Sequence, residues 1–226
     1  MKQLLFTCLC FLFFSCGNSK NSPEFKDKVS GRYFFNAFES IEIYFKNDEL
    51  RVKWRGRDDI EPLKVNDSTF YVKELNEKIV FVSKPEMHIE LVEKREHDGE
   101  KFSFKKMKQD EMTPIEYLEA KKFDKALTAY LNIQKVDSLN STIRERTMNR
   151  LGYKMLREKN DIELAIQIFT INTALYPKSS NTYDSLAEAY WKKKDTANAL
   201  INYRKVLNIN SENKEAANFI KKYSSN

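Results

Sequence analysis

The stretch SNTYDSLAEAYWKKKDTANALINYRKVLNINSEN, residues Ser180–Asn213, reads as two helices joined by a short turn. Tyr183, Leu186 and Tyr190 recur at three- and four-residue spacing and form the apolar line of the first helix, and Ala199 and Tyr203 face it from the second. Asp195 stands between them as N-cap of the second helix. Ala187 and Ala199 are small enough to let the two backbones press close. A hairpin of this size cannot bury its own apolar face, so it must stack on neighbours.

The neighbours lie upstream. Ala165 and Phe169 precede Ala199 and Tyr203 by 34 residues, Pro177 closes that earlier unit, and Leu151-Gly152 match Leu186-Ala187 at a spacing of 35. The odd residue is expected in the turn near Glu158–Asp161. Ala126 and Tyr130 repeat the small-aromatic pair once more, behind a short leading helix announced by Thr113-Pro114-Ile115-Glu116, in which Thr113 and Glu116 can form a capping box. Ser211 is placed to cap a last helix to about Tyr223, with Lys214, Asn218, Lys221 and Lys222 turned to water. This period and these positions resemble the tetratricopeptide repeat (TPR), which implies a stack of helical hairpins with a concave binding face and no chemistry of its own.

Carried onto this chain, the resemblance implies that Arg146, Asn149, Tyr153 and Arg157 line the concave side in one repeat, and Asn181, Asp184, Glu188, Trp191 and Lys192 in the next. Trp191 lies off the buried line and reads either as an exposed aromatic anchor for a peptide or as a side chain packed on a neighbouring element. Asp184 and Glu188 stand where repeats that clamp acidic C-terminal peptides carry basic or amide groups, which implies repulsion of that ligand class.

Ahead of the helices the period changes to two. Ile41, Ile43 and Phe45 alternate with Glu42, Tyr44 and Lys46; Asn47-Asp48 turn the chain; Leu50, Val52 and Trp54 alternate with Arg51, Lys53 and Arg55. Further strands are expected at Gly31–Asn36, Pro62–Val65, Thr69–Val72, Ile79–Ser83, His88–Lys94 and Lys101–Lys106, giving an antiparallel sheet, sandwich or partial barrel. Ser30-Gly31-Arg32-Tyr33, the Ile41–Phe45/Leu50–Trp54 hairpin and the spacing from Phe70 to Val80-Phe81 resemble the small β-domain that follows the catalytic domain in bacterial serine hydrolases of the β-lactamase and penicillin-binding type. That resemblance implies architecture and no active site. Met148–Tyr153, Tyr176–Ser179 and Tyr183–Tyr190 are similar to the repeat tail of exported serine hydrolases and lipoproteins of the Bacteroidetes type, here without the hydrolase.

At the N-terminus, Lys2 and the apolar run Leu4–Phe14 have the proportions of a secretory signal. Phe13-Phe14-Ser15-Cys16-Gly17 resembles the lipobox of bacterial lipoproteins, which implies lipidation at Cys16; a soluble secreted protein cut elsewhere is the other reading. Cys8 and Cys10 fall in the signal, so Cys16 is the one cysteine expected in the mature chain. No Asp follows Cys16, which by the same resemblance favours the outer membrane. The expected division is residues 1–16 signal and lipobox, 17–28 tether, 29–109 β-domain and 110–226 helical repeats. The fold class is α+β, a small antiparallel β-domain followed by an all-α TPR-like stack.

Enzyme chemistry finds little support. With 16 serines and 29 lysines among 226 residues, about two Ser-x-x-Lys pairs arise by chance, and Ser103/Lys106 and Ser211/Lys214 are the two present. Five glycines leave little scope for a nucleophile elbow or phosphate loop. His88 and His97 are the only histidines, both expected at the surface, so a soft metal site lacks ligands and no cofactor is expected. The row Arg51, Lys53, Arg55, with Arg57 beyond Gly56, reads as a grip for an anionic polymer or as a solvated face balanced by Asp58, Asp59 and Glu61. A formal charge of +6 with acids interspersed argues against a nucleic-acid partner. The function expected is a membrane-anchored, non-enzymatic interaction lipoprotein that binds an envelope protein or peptide; the alternative is an accessory acting in trans with a serine hydrolase.

Overall fold

A computed structural model describes residues 21–224. The segment expected as a signal, the lipobox-like stretch and Cys16 lie outside those residues. Alternation in Ser40–Lys46 (β2) and Glu49–Trp54 (β3) makes a hairpin in which Ile43 opposes Val52 and Phe45 opposes Leu50. Asn47 and Asp48 turn it with φ of 52° and 68°, the mirror-image turn whose twist matches paired strands. Gly31–Phe34 (β1) flanks it on one side and Arg57–Ile60 (β4) on the other, closing a four-stranded antiparallel sheet. Leu63–Lys64 (β5), Thr69–Val72 (β6), Glu77–Val82 (β7), His88–Leu91 (β8) and Ser103–Lys105 (β9) form a five-stranded antiparallel meander. A bridge between Tyr33 and Lys106 joins the two sheets, and Ile41, Val52, Trp54, Phe70, Ile79 and Ile89 share one apolar core.

Three details of the β half differ from the sequence reading. Residues 23–28, expected as tether, belong to a helix, Pro23–Val29 (α1), capped by Ser22; Phe25 packs on Phe70 and Phe81, and Val29 is buried. The row of cations is split, because Arg55 and Gly56 make a second mirror-image turn and leave Arg57 on the opposite strand. Arg51 is then held by Glu49 and Glu61 at 2.6 Å each and Lys53 by Asp58 at 3.1 Å, while Arg55 stacks 4.7 Å over Trp54. His97 is buried rather than exposed, because the equally buried Glu77 lies 3.1 Å from its Nε2 and is itself met by Lys94 at 3.0 Å. His88 stays near the surface between the Glu86 carbonyl and Glu90.

The helical half begins at Pro114–Glu119 (α2), whose capping box is complete: the Thr113 amide donates to Glu116 at 2.8 Å and the Glu116 amide to Thr113 at 3.4 Å. Phe123–Val136 (α3) completes the first hairpin. The second is Glu145–Tyr153 (α4), continued by a π-turn at Lys154–Glu158, with Ile162–Leu175 (α5). Ser180–Lys192 (α6) and Thr196–Ile209 (α7) form the third, and Lys214–Tyr223 (α8) closes the stack. Asp161 and Asp195, 34 residues apart, cap α5 and α7 through the Leu164 and Asn198 amides at 3.0 and 3.1 Å. The last helix is capped by Asn213 instead of Ser211.

The extra residue sits in the π-turn, not in the turn after it. Asn160 and Lys194 occupy the same left-handed position before the capping aspartates, with φ of 53° and 67°, so the turn is fixed. The helix absorbs the insertion by the longer bond from the Lys159 amide to the Lys154 carbonyl at 3.2 Å.

The two halves meet in the loop after β1. Ala37 is fully buried among the α2, α3 and α5 side chains, and its carbonyl accepts from the Ile115 amide at 3.1 Å. Arg32 grips Glu116 with one nitrogen at 2.6 Å and donates to the Glu111 carbonyl at 3.2 Å with another.

Candidate interaction groove

The first helices of the second and third hairpins, α4 and α6, supply the candidate surface. Gly152 lets α4 lie against α5, where a Cβ would come within 2.4 Å of the Phe169 ring. Ala187, Ala189 and Ala199 are fully buried between α6 and its neighbours. These contacts turn the other side of both helices to the groove.

Across it, the Tyr153 hydroxyl donates to Glu188 at 2.7 Å and lies 3.3 Å from the Ser185 hydroxyl. Arg157 donates to the second oxygen of Glu188 at 3.2 Å and stacks 4.2 Å over the Tyr153 ring. Both oxygens of that carboxylate are thus engaged. Burial pushes the Tyr153 hydroxyl up to about 12, with Glu188 adding to the shift. Asn181 donates to Glu145 at 2.9 Å, a second tie between α6 and α4. Between these ties lies a hollow of about 550 Å³ lined by Glu145, Arg146, Asn149, Arg150, Tyr153 and Asn181.

Asn149 and Asp184 hold equivalent positions in successive repeats, 35 residues apart like Leu151 and Leu186. Each has its Oδ1 buried with no hydrogen-bond partner. Burial, then the carboxylates of Glu215 and Glu188, hold the Asp184 carboxyl above its ordinary value. Tyr203 shares this neighbourhood: burial pushes its hydroxyl up to about 12, and Asp184, Glu188 and Glu215 add to the shift.

The remaining expected residues have other contacts. Lys192 donates to the Leu156 carbonyl at 3.0 Å, inside the π-turn. Trp191 packs edge-on to Phe219 at 5.1 Å and against Tyr223 at 4.7 Å on α8, and is 40% exposed. Glu145, Arg150 and Phe38 line these hollows and escaped the sequence reading. Arg150 was within reach of it, one turn after Arg146 on the same helix. Phe38 was not: it comes from the β half, and with Arg150, Tyr153 and Arg157 it lines the adjoining hollow.

Among the described residues no group of His, Cys, Asp and Glu is arranged to hold a metal, and no helix is long and apolar enough to cross a membrane. Lys106 of the pair Ser103/Lys106 donates to the Lys28 carbonyl at 2.7 Å.

No family model matches the sequence, and no curated protein is similar to it. Solved structures similar to about half of this chain include TPR domains. The first TPR of Spaghetti (RPAP3), bound to the HSP90 peptide SRMEEVD, is 20% identical, with 50% of this chain and 85% of that chain covered and a TM-score of 0.35. MamA is 20% identical over 51% of this chain and 65% of that one, with a TM-score of 0.33. The Sgt2 TPR domain from Aspergillus fumigatus is 14% identical over 50% and 72%, with a TM-score of 0.34. The helical half of this chain is TPR-like on its own geometry: paired antiparallel helices, repeated caps and a 34-residue interval from Ala165 to Ala199.

Proposed function

We propose that this chain is a membrane-anchored, non-enzymatic interaction scaffold of a bacterial cell envelope, holding an envelope protein or peptide in the concave groove formed by α4 and α6. The observation that carries the reading is the hollow of about 550 Å³ between α4 and α6, lined by Arg146, Asn149, Arg150, Tyr153 and Asn181, which is polar and carries two cations. The lipobox resemblance supports anchoring through Cys16, and two or more acyl chains there would hold the protein on a membrane, with the outer membrane favoured.

The groove reading is tested by affinity capture from a detergent-solubilised envelope extract. The bait is residues 17–226, beside an Arg146→Glu/Asn149→Ala variant, and retained proteins are identified by mass spectrometry. A partner held by the native bait and lost by the variant is the expected result, and a serine hydrolase among such partners would specify the in-trans role. Equal retention by both baits would overturn the groove. The anchor is tested separately: Cys16→Ala is expected in the soluble fraction, and its persistence on membranes would overturn lipidation at that residue.

A further inference from the structure

We infer that the groove selects a dipolar partner segment, one whose acidic side chain meets Arg146 and Arg150 on α4 and whose basic side chain meets Asp184 and Glu215 between α6 and α8. The inference rests on the groove reading and names the chemistry of its occupant.

The charges of the groove sort into used and unused ones. Glu188 is saturated by Tyr153 and Arg157, Glu145 is tied to Asn181, and Lys192 serves the Leu156 carbonyl. Among the described residues, Arg146, Arg150, Asp184 and Glu215 have neither an ion pair nor a side-chain hydrogen bond. Arg146 and Arg150 lie together on α4, one turn apart, and Asp184 and Glu215 lie together at the α6–α8 end. These two pairs leave a positive patch on α4 and a negative one at the α6–α8 end.

The negative end is built to receive a cation. The Asp184 carboxylate has no donor on either oxygen, one of which is buried, and Glu215 and Glu188 crowd it with like charge. A lysine or arginine side chain would supply a donor to the carboxylate and relieve the repulsion. A wholly acidic segment meets repulsion at Asp184 and Glu215, and a wholly basic one meets it at Arg146 and Arg150. Charge arranged in this way selects partners by what it repels as well as by what it attracts.

The test measures fluorescence anisotropy of labelled peptides of equal length against residues 17–226. One peptide carries an aspartate block and a lysine block, in either order; the others are all aspartate and all lysine. The better dipolar order is expected to bind at least about fivefold tighter than either uniform peptide, with the advantage shrinking as salt rises. Asp184→Asn should abolish the advantage over the all-aspartate peptide, and Arg146→Glu/Arg150→Glu the advantage over the all-lysine peptide. Asp184→Asn is isosteric and removes a like-charge contact, so its thermal midpoint is expected at or above the native one, which keeps folding out of the comparison. Equal binding of a uniform peptide, or an advantage untouched by both variants, would overturn the charge division and leave the groove standing. Failure of the groove itself is read separately, by capture that the Arg146→Glu/Asn149→Ala variant does not change.

Discussion

Tyr153 on α4 donates its hydroxyl hydrogen to Glu188 on α6 at 2.7 Å, and the bond closes the concave face between two repeats. Stacking of hairpins depends on such nearest-neighbour ties, because each repeat touches only the next. Tyr153→Phe keeps the ring that packs on Phe169 at 5.1 Å and removes only the donor. It is expected to cost about 1 kcal/mol in urea unfolding, and Tyr153→Phe/Arg157→Ala more than either change alone, since both groups serve one carboxylate. Strict additivity in that cycle would show the two contacts to be independent.

Gly152 faces the Phe169 ring so closely that a methyl group would lie 2.4 Å from it. In an exposed helix Gly152→Ala would stabilise by about 1 kcal/mol. Here the overlap dominates, and a net loss of about 1–3 kcal/mol is expected, read as a lower thermal midpoint. Phe169→Leu in the Gly152→Ala background should restore part of the loss, because the overlap is with the ring itself.

Glu116 joins the two halves and caps α2 at once. Burial raises its carboxyl, but the hydrogen bonds from Arg32 and Thr113 outweigh that and leave it below its ordinary value of 4.5. A carboxyl depressed in the folded state contributes stability that is full above the unfolded value and lost as pH falls through the folded one. Stability is therefore expected to fall below about pH 4.5 in the native protein, and to fall less steeply there in Glu116→Gln. With the Arg32 and Glu116 side chains 32% and 38% exposed, about 1 kcal/mol is the scale of the loss at neutral pH. Parallel pH profiles for the two proteins would remove Glu116 from the acid transition.

The elements that the sequence made legible are those whose period is strong and whose partners are near. Ile41, Ile43, Val52 and Trp54 alternate without interruption, and all are buried. Asp195 announces a helix that begins one residue later. Arg57–Ile60 escaped because three of its four residues are charged or acidic and only Ile60 faces the core. The signal for α1 was present in Ser22-Pro23-Glu24, a cap, a first-turn proline and an acid, but seven residues with two apolar contacts look like a tether until Phe70 and Phe81 are placed beside Phe25. For the candidate groove, the helical frame named Arg146, Asn149 and Asp184 but had no means of naming Phe38, which arrives from a loop of the β half. Nor does a frame reveal which charges are already spent, since Glu188 and Lys192 are engaged by residues more than 30 positions away.

Lys192 is where a groove role and a packing role make opposite forecasts. The π-turn displaces the regular bonds of its helix, and the Leu156 carbonyl takes its donor from Lys192 at 3.0 Å. If that bond is the residue's work, Lys192→Met keeps the aliphatic stem, strands the carbonyl and lowers stability by about 1 kcal/mol, while dipolar peptides bind as before. A residue that served the partner instead would leave the thermal midpoint unchanged and weaken binding. The hydrogen bond argues for the first outcome, and measuring both quantities on the one variant decides it. Deleting Lys159 together with Lys192→Met extends the argument: with the insertion gone the helix can recover its regular bonds, the carbonyl no longer needs an outside donor, and the stability lost in Lys192→Met should return.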